Sequence, residues 1–440
     1  MNIAFEISPL LLASGSFGDK SGVYRYYYGL IKAYGNYLKK NKINKKIILF
    51  SFDKNLVSFP PTKDIINLLN NEHFLFISNP IAIKKDASYL KFRIFDLALR
   101  PFLKLVNLVI PIKKIYSNFS NEIIFQEYVL HVKKQLKKNA VSTIYHSETC
   151  FYPLKGFKNI ITIYDLTPIF MSHFHRKETI DLSQRKLYFG QKYCEGIVCI
   201  SQSTKNDLLK YYPLYKYKKI VICYPGSELK LLSYRKSFFS DINFLLGRQK
   251  NIIKKGRYLL YYGTFEPRKN IISVVEAFYE LQKNRDIPKD FKLILTGGDG
   301  WGEKKKMIKN FIKENYPLKE KNSIIMFDFL NDDYLVSLIK NSLAVVYPSL
   351  YEGFGLPVLE SMSLGTAVIC SNNSSLPEVG GNAVIYASPN DYFDLKNKIK
   401  YLINHPNVAK SLSKKGLKQS KKFSWEKSSH ILHGLMQKLK

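Results

Sequence analysis

Residues 343–370 read LAVVYPSLYEGFGLPVLESMSLGTAVIC. The stretch up to Ser349 is apolar and β-branched, as a buried strand is, and a second run of the same kind closes it at 366–370. Between them lies a loop with Glu352, Gly353 and Gly355, and Pro357 stands where a helix tolerates it, in the first turn. Strand, loop, helix, strand is one repeat of a parallel α/β sheet, whose ligands bind in the loops beyond the carboxyl ends of the strands. The free N–H groups of Phe354, Gly355 and Leu356 and the positive end of the helix dipole then face the ligand, and phosphate is the group that suits them. The two glycines let the backbone come close to it. Glu352 ahead of the helix and Glu360 in its first turn reach different parts of one extended ligand, so they need not form an acid/base pair.

The same alternation runs through the chain. Strand-like runs occur at 2–8, 46–52, 73–78, 143–146, 159–165, 196–201 and 219–224, and a second series at 257–263, 291–297, 323–328, 343–349, 366–370 and 382–386. Residues 229–256 are basic and weakly periodic, which places a boundary near 240 between two doubly wound domains, 1–240 and 241–423. The final segment, 424–440, shows a helical apolar pattern with Ser424 as N-cap. Segment 83–117 interrupts the first series. It alternates apolar residues with Lys and Arg but is divided by Pro101 and Pro111, so it reads as amphipathic helix, lying on an anionic membrane face or packed on the sheet.

A chain of 440 residues, 46% hydrophobic, can bury two large cores. No apolar run is long enough to span a bilayer and the start lacks a signal-peptide pattern, which points to a cytoplasmic protein. The five cysteines form no CxxC pair and read as reduced, buried thiols. A net charge of +33 favours anionic partners: phosphorylated ligands, anionic lipid or nucleic acid. Nucleic acid is the weakest of these, because no interleaved basic-aromatic motif stands out and the glycine–carboxylate loop has no use there.

Upstream, YYGTFEPRKNIISVVEAF (261–278) sets Gly263 at the end of a strand, followed by Arg268 and Lys269 and an apolar-periodic helix. Two cations in the first turn of a helix oppose its dipole, so they call for an anionic ligand. No Asp-x-Asp and no His/Cys/carboxylate cluster with metal-ligand spacing occurs, so the expectation is that no metal is required.

These residues resemble a family. YEGFGLPVLE matches the glutamate, seven residues, glutamate motif of the retaining glycosyltransferases of family 4, and the surrounding forty residues, 347–386, follow the same pattern. The resemblance implies the GT-B fold, two Rossmann-like domains facing across a cleft, with the acceptor on the first domain, the nucleotide sugar on the second and the last helix crossing back to the first. It implies a nucleoside diphosphate sugar as donor, GDP- or UDP-linked, no cofactor besides, and a glycan or lipid-linked saccharide as acceptor. By analogy Arg268 and Lys269 hold the diphosphate, Glu352 meets the sugar near the reacting carbon, and Glu360 meets the ribose. Within the family the chain looks most like the mannosyl- and related hexosyltransferases of bacterial surface polysaccharide synthesis, at the cytoplasmic face of the inner membrane. A nucleotide-sugar epimerase or hydrolase of the same fold is the alternative.

The first domain adds SGSFGDKSGVYRYYYGL (14–30), similar to the family's glycine-rich first loop, with Gly22 on the donor side and Arg25 toward the acceptor. In ITIYDLTPIFMSHFH (161–175), Tyr164 occupies the place where many relatives have a histidine ahead of Asp165; both are acceptor-side candidates, as are His146, His173 and His175. LTGGDGWGE (295–303) offers Gly297 and Gly298 for the wall around the base.

Overall fold

The computed structural model describes residues 2–12, 22–53, 62–77, 112–229, 253–300, 302–316, 323–328 and 330–439, with side chains in the helix that begins at Ile112 only from residue 125. Two parallel sheets organise it. The first holds β1 (Asn2–Glu6), β2 (Ile47–Phe50), β3 (Phe74–Phe76), β4 (Val141–His146), β5 (Lys158–Ile163), β6 (Gly196–Cys199) and β7 (Lys219–Ile222), in the order β3-β2-β1-β4-β5-β6-β7. The second holds β8 (Tyr258–Tyr262), β9 (Lys292–Thr296), β10 (Ile324–Phe327), β11 (Ala344–Tyr347), β12 (Ala367–Ser371) and β13 (Ile385–Ala387), in the order β10-β9-β8-β11-β12-β13. Every strand-like run of the sequence appears among them. Most are trimmed at their ends, because the last polar residues of each run turn into a loop.

The strands are apolar on both faces because helices cover both. Ile47 to Phe50, Tyr258 to Tyr261 and Ala344 to Val346 are inaccessible to solvent. In each sheet the order reverses once, between β1 and β4 and between β8 and β11, and a crevice opens there at the carboxyl ends. The loops that follow β8 and β11 hold Arg268, Lys269 and Glu352. Topology therefore brings together two motifs that lie more than eighty residues apart in the chain.

The helix Trp425–Lys438 starts on Ser424, whose hydroxyl accepts from the Lys427 N–H at 3.2 Å. It lies against the helix Gly22–Lys40 and the edge strand β7 of the first sheet. Tyr34 Oη meets His433 Nδ1 at 3.1 Å in that contact. The membrane-reading segment 83–117 lies outside the described residues apart from 112–117, and so does most of the connection at 229–256. Among the described residues no helix is long and apolar enough to cross a membrane.

Candidate active site

A cavity of about 990 Å³ lies between the two sheets. Of the residues singled out, Gly22, Arg25, Tyr164 and Asp165 from the first domain and Gly263, Arg268, Lys269, Gly353, Phe354, Gly355, Leu356, Glu352 and Glu360 from the second line it, and the three histidines do not. His146 is buried elsewhere, on Asn159 at 2.8 Å, and His173 sits in a short turn, Ser172–Phe174, that His175 ends.

Glu352 is the most tightly held of these groups. Lys269 Nζ lies 2.6 Å from Oε1 and Arg268 Nη1 3.3 Å from Oε2. Ser349 Oγ and Tyr347 Oη donate to Oε1 at 2.7 and 2.9 Å. Burial by itself would raise this carboxyl, but Lys269 and Arg268 overcome it and hold its pKa at about 2. Arg268 also donates to the Tyr351 carbonyl and reaches Glu266 Oε2 at 3.3 Å, while its Nε has no hydrogen-bond partner. Burial opposes its charge, yet Glu352 and the nearby Asp165 and Glu266 raise its pKa. A cation with a buried, unused N–H can take one more anionic oxygen.

The cations are not in a helix first turn. They occupy a 3₁₀ turn, Pro267–Lys269, which Asn270, at φ +53°, separates from the helix Ile271–Lys283. The left-handed residue turns the chain between the two, so the expected conflict with the helix dipole does not arise.

The helix behind Glu352 is Leu356–Ser363. Its N-cap, Gly355, has φ +96°, a conformation that costs a side-chain-bearing residue strain, and it lines the cavity with Phe354 and Leu356. Gly353, which lines the cavity, also meets the first domain. A Cβ there would stand 2.4 Å from the Tyr164 carbonyl oxygen of the opposite domain, so the glycine lets the two domains touch.

Glu360 falls in the second turn of this helix, not the first, since the helix begins only at Leu356. It is therefore too deep to neutralise the dipole and faces the cavity instead. Tyr262 Oη donates to its Oε2 at 3.2 Å, and Arg25 Nη1 reaches its Oε1 at 3.2 Å. Burial raises this carboxyl; the pull of Arg25 opposes it without prevailing. Arg25 also pairs with Asp332 at 2.8 Å. Expected on the acceptor side, Arg25 is paired with the second domain's carboxylates, because the first turn of its helix lines the cavity between the domains.

Asp165 Oδ1 accepts from Thr167 N and Oγ1 at 2.9 and 2.6 Å, which starts the short helix Thr167–Phe170. Tyr164 packs edge-on against Tyr26, and the Lys186 ammonium lies 5.2 Å from its ring. Gly297 and Gly298 lie on the cavity wall with Thr296, Leu330 and Leu335. The sequence reading missed Tyr262, Arg176 and Thr179, which also line it. Only Tyr262 left a trace, one residue before Gly263 in a motif already singled out.

The domains are latched around the site. Thr204 Oγ1 donates to the carbonyls of Tyr164 and Gly353, at 2.9 and 3.3 Å. Glu378 of the second domain accepts from the Gln202 and Ser203 amides, at 2.8 and 3.3 Å, and caps the helix Gln202–Tyr211 of the first. Such a site can hold a multiply charged anion against two cations and a helix terminus. Two carboxylates remain for hydroxyl groups on either side of it.

Residues 246–419 match the family model described as glycosyl transferases group 1. An Escherichia coli protein, O-antigen chain mannosyltransferase B, is 28% identical over 302 residues, 68% of this chain and 75% of that one. The serotype-specific mannosyltransferase WbdA of Escherichia coli is 26% identical over 280 residues, 62% of this chain but 33% of that longer protein. Sucrose-phosphate synthase from Thermosynechococcus elongatus superposes with TM-score 0.65 at 18% identity, over 100% of this chain and 99% of that one. Anabaena HepE in complex with UDP and glucose gives 0.64 at 14%, over 99% of each. At such identities the structural likeness speaks for the fold. The matched stretch contains Arg268, Lys269, Glu352 and Glu360, so the second half of the chain is similar to the group 1 glycosyltransferases, and the whole chain has the two-domain GT-B fold.

Proposed function

We propose that this glycosyltransferase moves a hexosyl group, mannosyl by preference, from a GDP- or UDP-linked donor to a glycan or lipid-linked saccharide of a bacterial surface polysaccharide, with retention of configuration. The observation that carries the reading is Glu352 held between Lys269 and Arg268 at the mouth of a helix N-terminus. The family takes its sugar from a nucleotide, and the relatives named for mannosyl transfer support the choice of sugar.

In this reading the diphosphate rests on Arg268, Lys269 and the amides at Gly355 and Leu356. Those groups are already in place when the bond between the sugar's anomeric carbon and the phosphate oxygen breaks, so they stabilise the charge that develops there. The acceptor hydroxyl approaches on the same face, hands its proton to the departing phosphate oxygen and forms the new bond to the anomeric carbon. Glu352, ionised and fixed, orients a hydroxyl of the transferred sugar, and Glu360 binds the ribose. Closure along Thr204, Gly353 and Glu378 keeps water out and limits hydrolysis of the donor.

The test combines two readouts. A panel of GDP- and UDP-hexoses with lipid extract identifies the donor, and Glu352→Gln is expected to lower transfer about a hundredfold or more. Thermal shift with GDP and UDP reports the base, since the bound nucleotide stabilises the folded chain. Undiminished transfer by the variant rejects the assignment.

A further inference from the structure

Residues 348–355 lie between β11 and the helix Leu356–Ser363 and belong to neither. The ion pairs with Lys269 and Arg268 fix the Glu352 carboxylate, yet they do not fix the backbone that carries it, and Gly353 and Gly355 make that backbone easy to displace. A second loop holds it, residues 372–375, which follows β12. The Asn373 side-chain amide donates to the Leu350 carbonyl. The Glu352 N–H donates to Ser374 Oγ at 3.0 Å, and Ser375 Oγ donates to the Glu352 carbonyl at 2.9 Å. With Arg268 on the Tyr351 carbonyl, every carbonyl from Leu350 to Glu352 has a donor.

This bracket is firmly mounted. The Asn373 carbonyl accepts from the Leu376 N–H and the Ser375 carbonyl from the Val379 N–H, both at 3.1 Å, which starts the helix Leu376–Gly380. Ser375, Leu376 and Val379 are inaccessible to solvent. Ser374 has φ +51°, a left-handed conformation that a serine adopts only at a cost. Glycine would take it freely but would offer the Glu352 N–H no acceptor. Strain of this kind persists where the surroundings impose it, and it collects at sites whose geometry matters.

We propose that Asn373, Ser374 and Ser375 are positioning residues of the transfer reaction, setting the Glu352 backbone and through it the carboxylate that meets the transferred sugar. None of the three lines the cavity between the domains, so they act through Glu352 and not on the ligand. Misplacing a group at the reacting centre by about 1 Å can cost about a hundredfold in rate, so hydrogen bonds that touch no substrate still bear on turnover. The inference rests on the proposed function and deepens it.

The test sets two variants of the full chain against each other. Ser374→Gly relieves the left-handed conformation and loses the acceptor. Ser374→Thr keeps the hydroxyl, while its branched Cβ fits φ +51° badly; its methyl has room in the open cavity of about 730 Å³ that Ser374 borders. With GDP-mannose and lipid extract, Ser374→Gly should lower kcat about tenfold with KM within about twofold of the wild type. Ser374→Thr should melt below Ser374→Gly and yet turn over faster. In crystals, the Glu352 carboxylate of Ser374→Gly should stand about 0.5 Å or more from its wild-type place. The proposal is overturned if rate follows melting temperature across the two variants, as a brace for the fold alone would have it, or if the carboxylate stays where it was. Should the wild type turn over no GDP- or UDP-hexose, the proposed function fails, and the crystal comparison still decides whether the loop positions Glu352.

Discussion

Glu352 and Glu360 belong to one loop and helix, and the regions around them are held together differently. Around Glu352 both cations come from its own domain, through the loop after β8. Around Glu360 the cation comes from the opposite domain, on Arg25. The first carboxylate is therefore organised whether the cleft is open or closed. The second is neutralised only when the domains meet. The proposed transfer uses both behaviours, a rigid place for the leaving group and a contact that reports closure.

The widest break in this comparison is the Glu352→Gln assay, where loss of transfer of about a hundredfold or more is expected without opening of the domains. Lys269→Ala comes next. It removes one of the two cations on a buried carboxylate and leaves Arg268 as the other, at a cost of about 2 kcal/mol, read as a fall in urea midpoint. The Glu352 carboxyl lies below its ordinary 4.5, so its pairing stabilises fully above that value and is lost as pH falls towards about 2. Lys269→Ala should shift that loss to higher pH, visible as an acid limb in melting temperature.

Arg25→Ala should act on closure and cost about 1 kcal/mol or less, because Arg25 is partly exposed. Glu360 is raised, which reverses the sign: its contribution is complete below 4.5 and is lost as pH rises through the folded value. Without Arg25 that value climbs further, so the variant's melting temperature should fall behind the wild type more at pH 8 than at pH 5. Small-angle scattering should show a larger radius. Equal radii and a pH-independent difference would mean that the pair does not report closure. The smallest effect belongs to Glu378→Gln, which removes a charge from the Gln202 helix terminus, about 0.5 kcal/mol, with a modest rise in donor KM.

Much of the second domain was legible in the sequence because its functional groups follow their strands directly. Glu352 comes five residues after Tyr347, and Arg268 and Lys269 follow Tyr262 by one short turn. Strand runs survived translation for a similar reason: a strand covered on both faces must be apolar throughout. What escaped were groups whose partners come from elsewhere. The pairing of Arg25 with Glu360 and Asp332, and the cap that Glu378 places on Gln202, leave no local trace.

The sequence by itself determined the two alternating α/β series, the glycine–carboxylate loop between strand and helix and the adjacent cations, because strand burial and turn chemistry act over a few residues. Tertiary structure decided which carboxylate meets which cation and how closely Gly353 approaches the Tyr164 carbonyl. Those depend on where two sheets reverse their strand order and on how closely the domains approach, distances that no local spacing encodes.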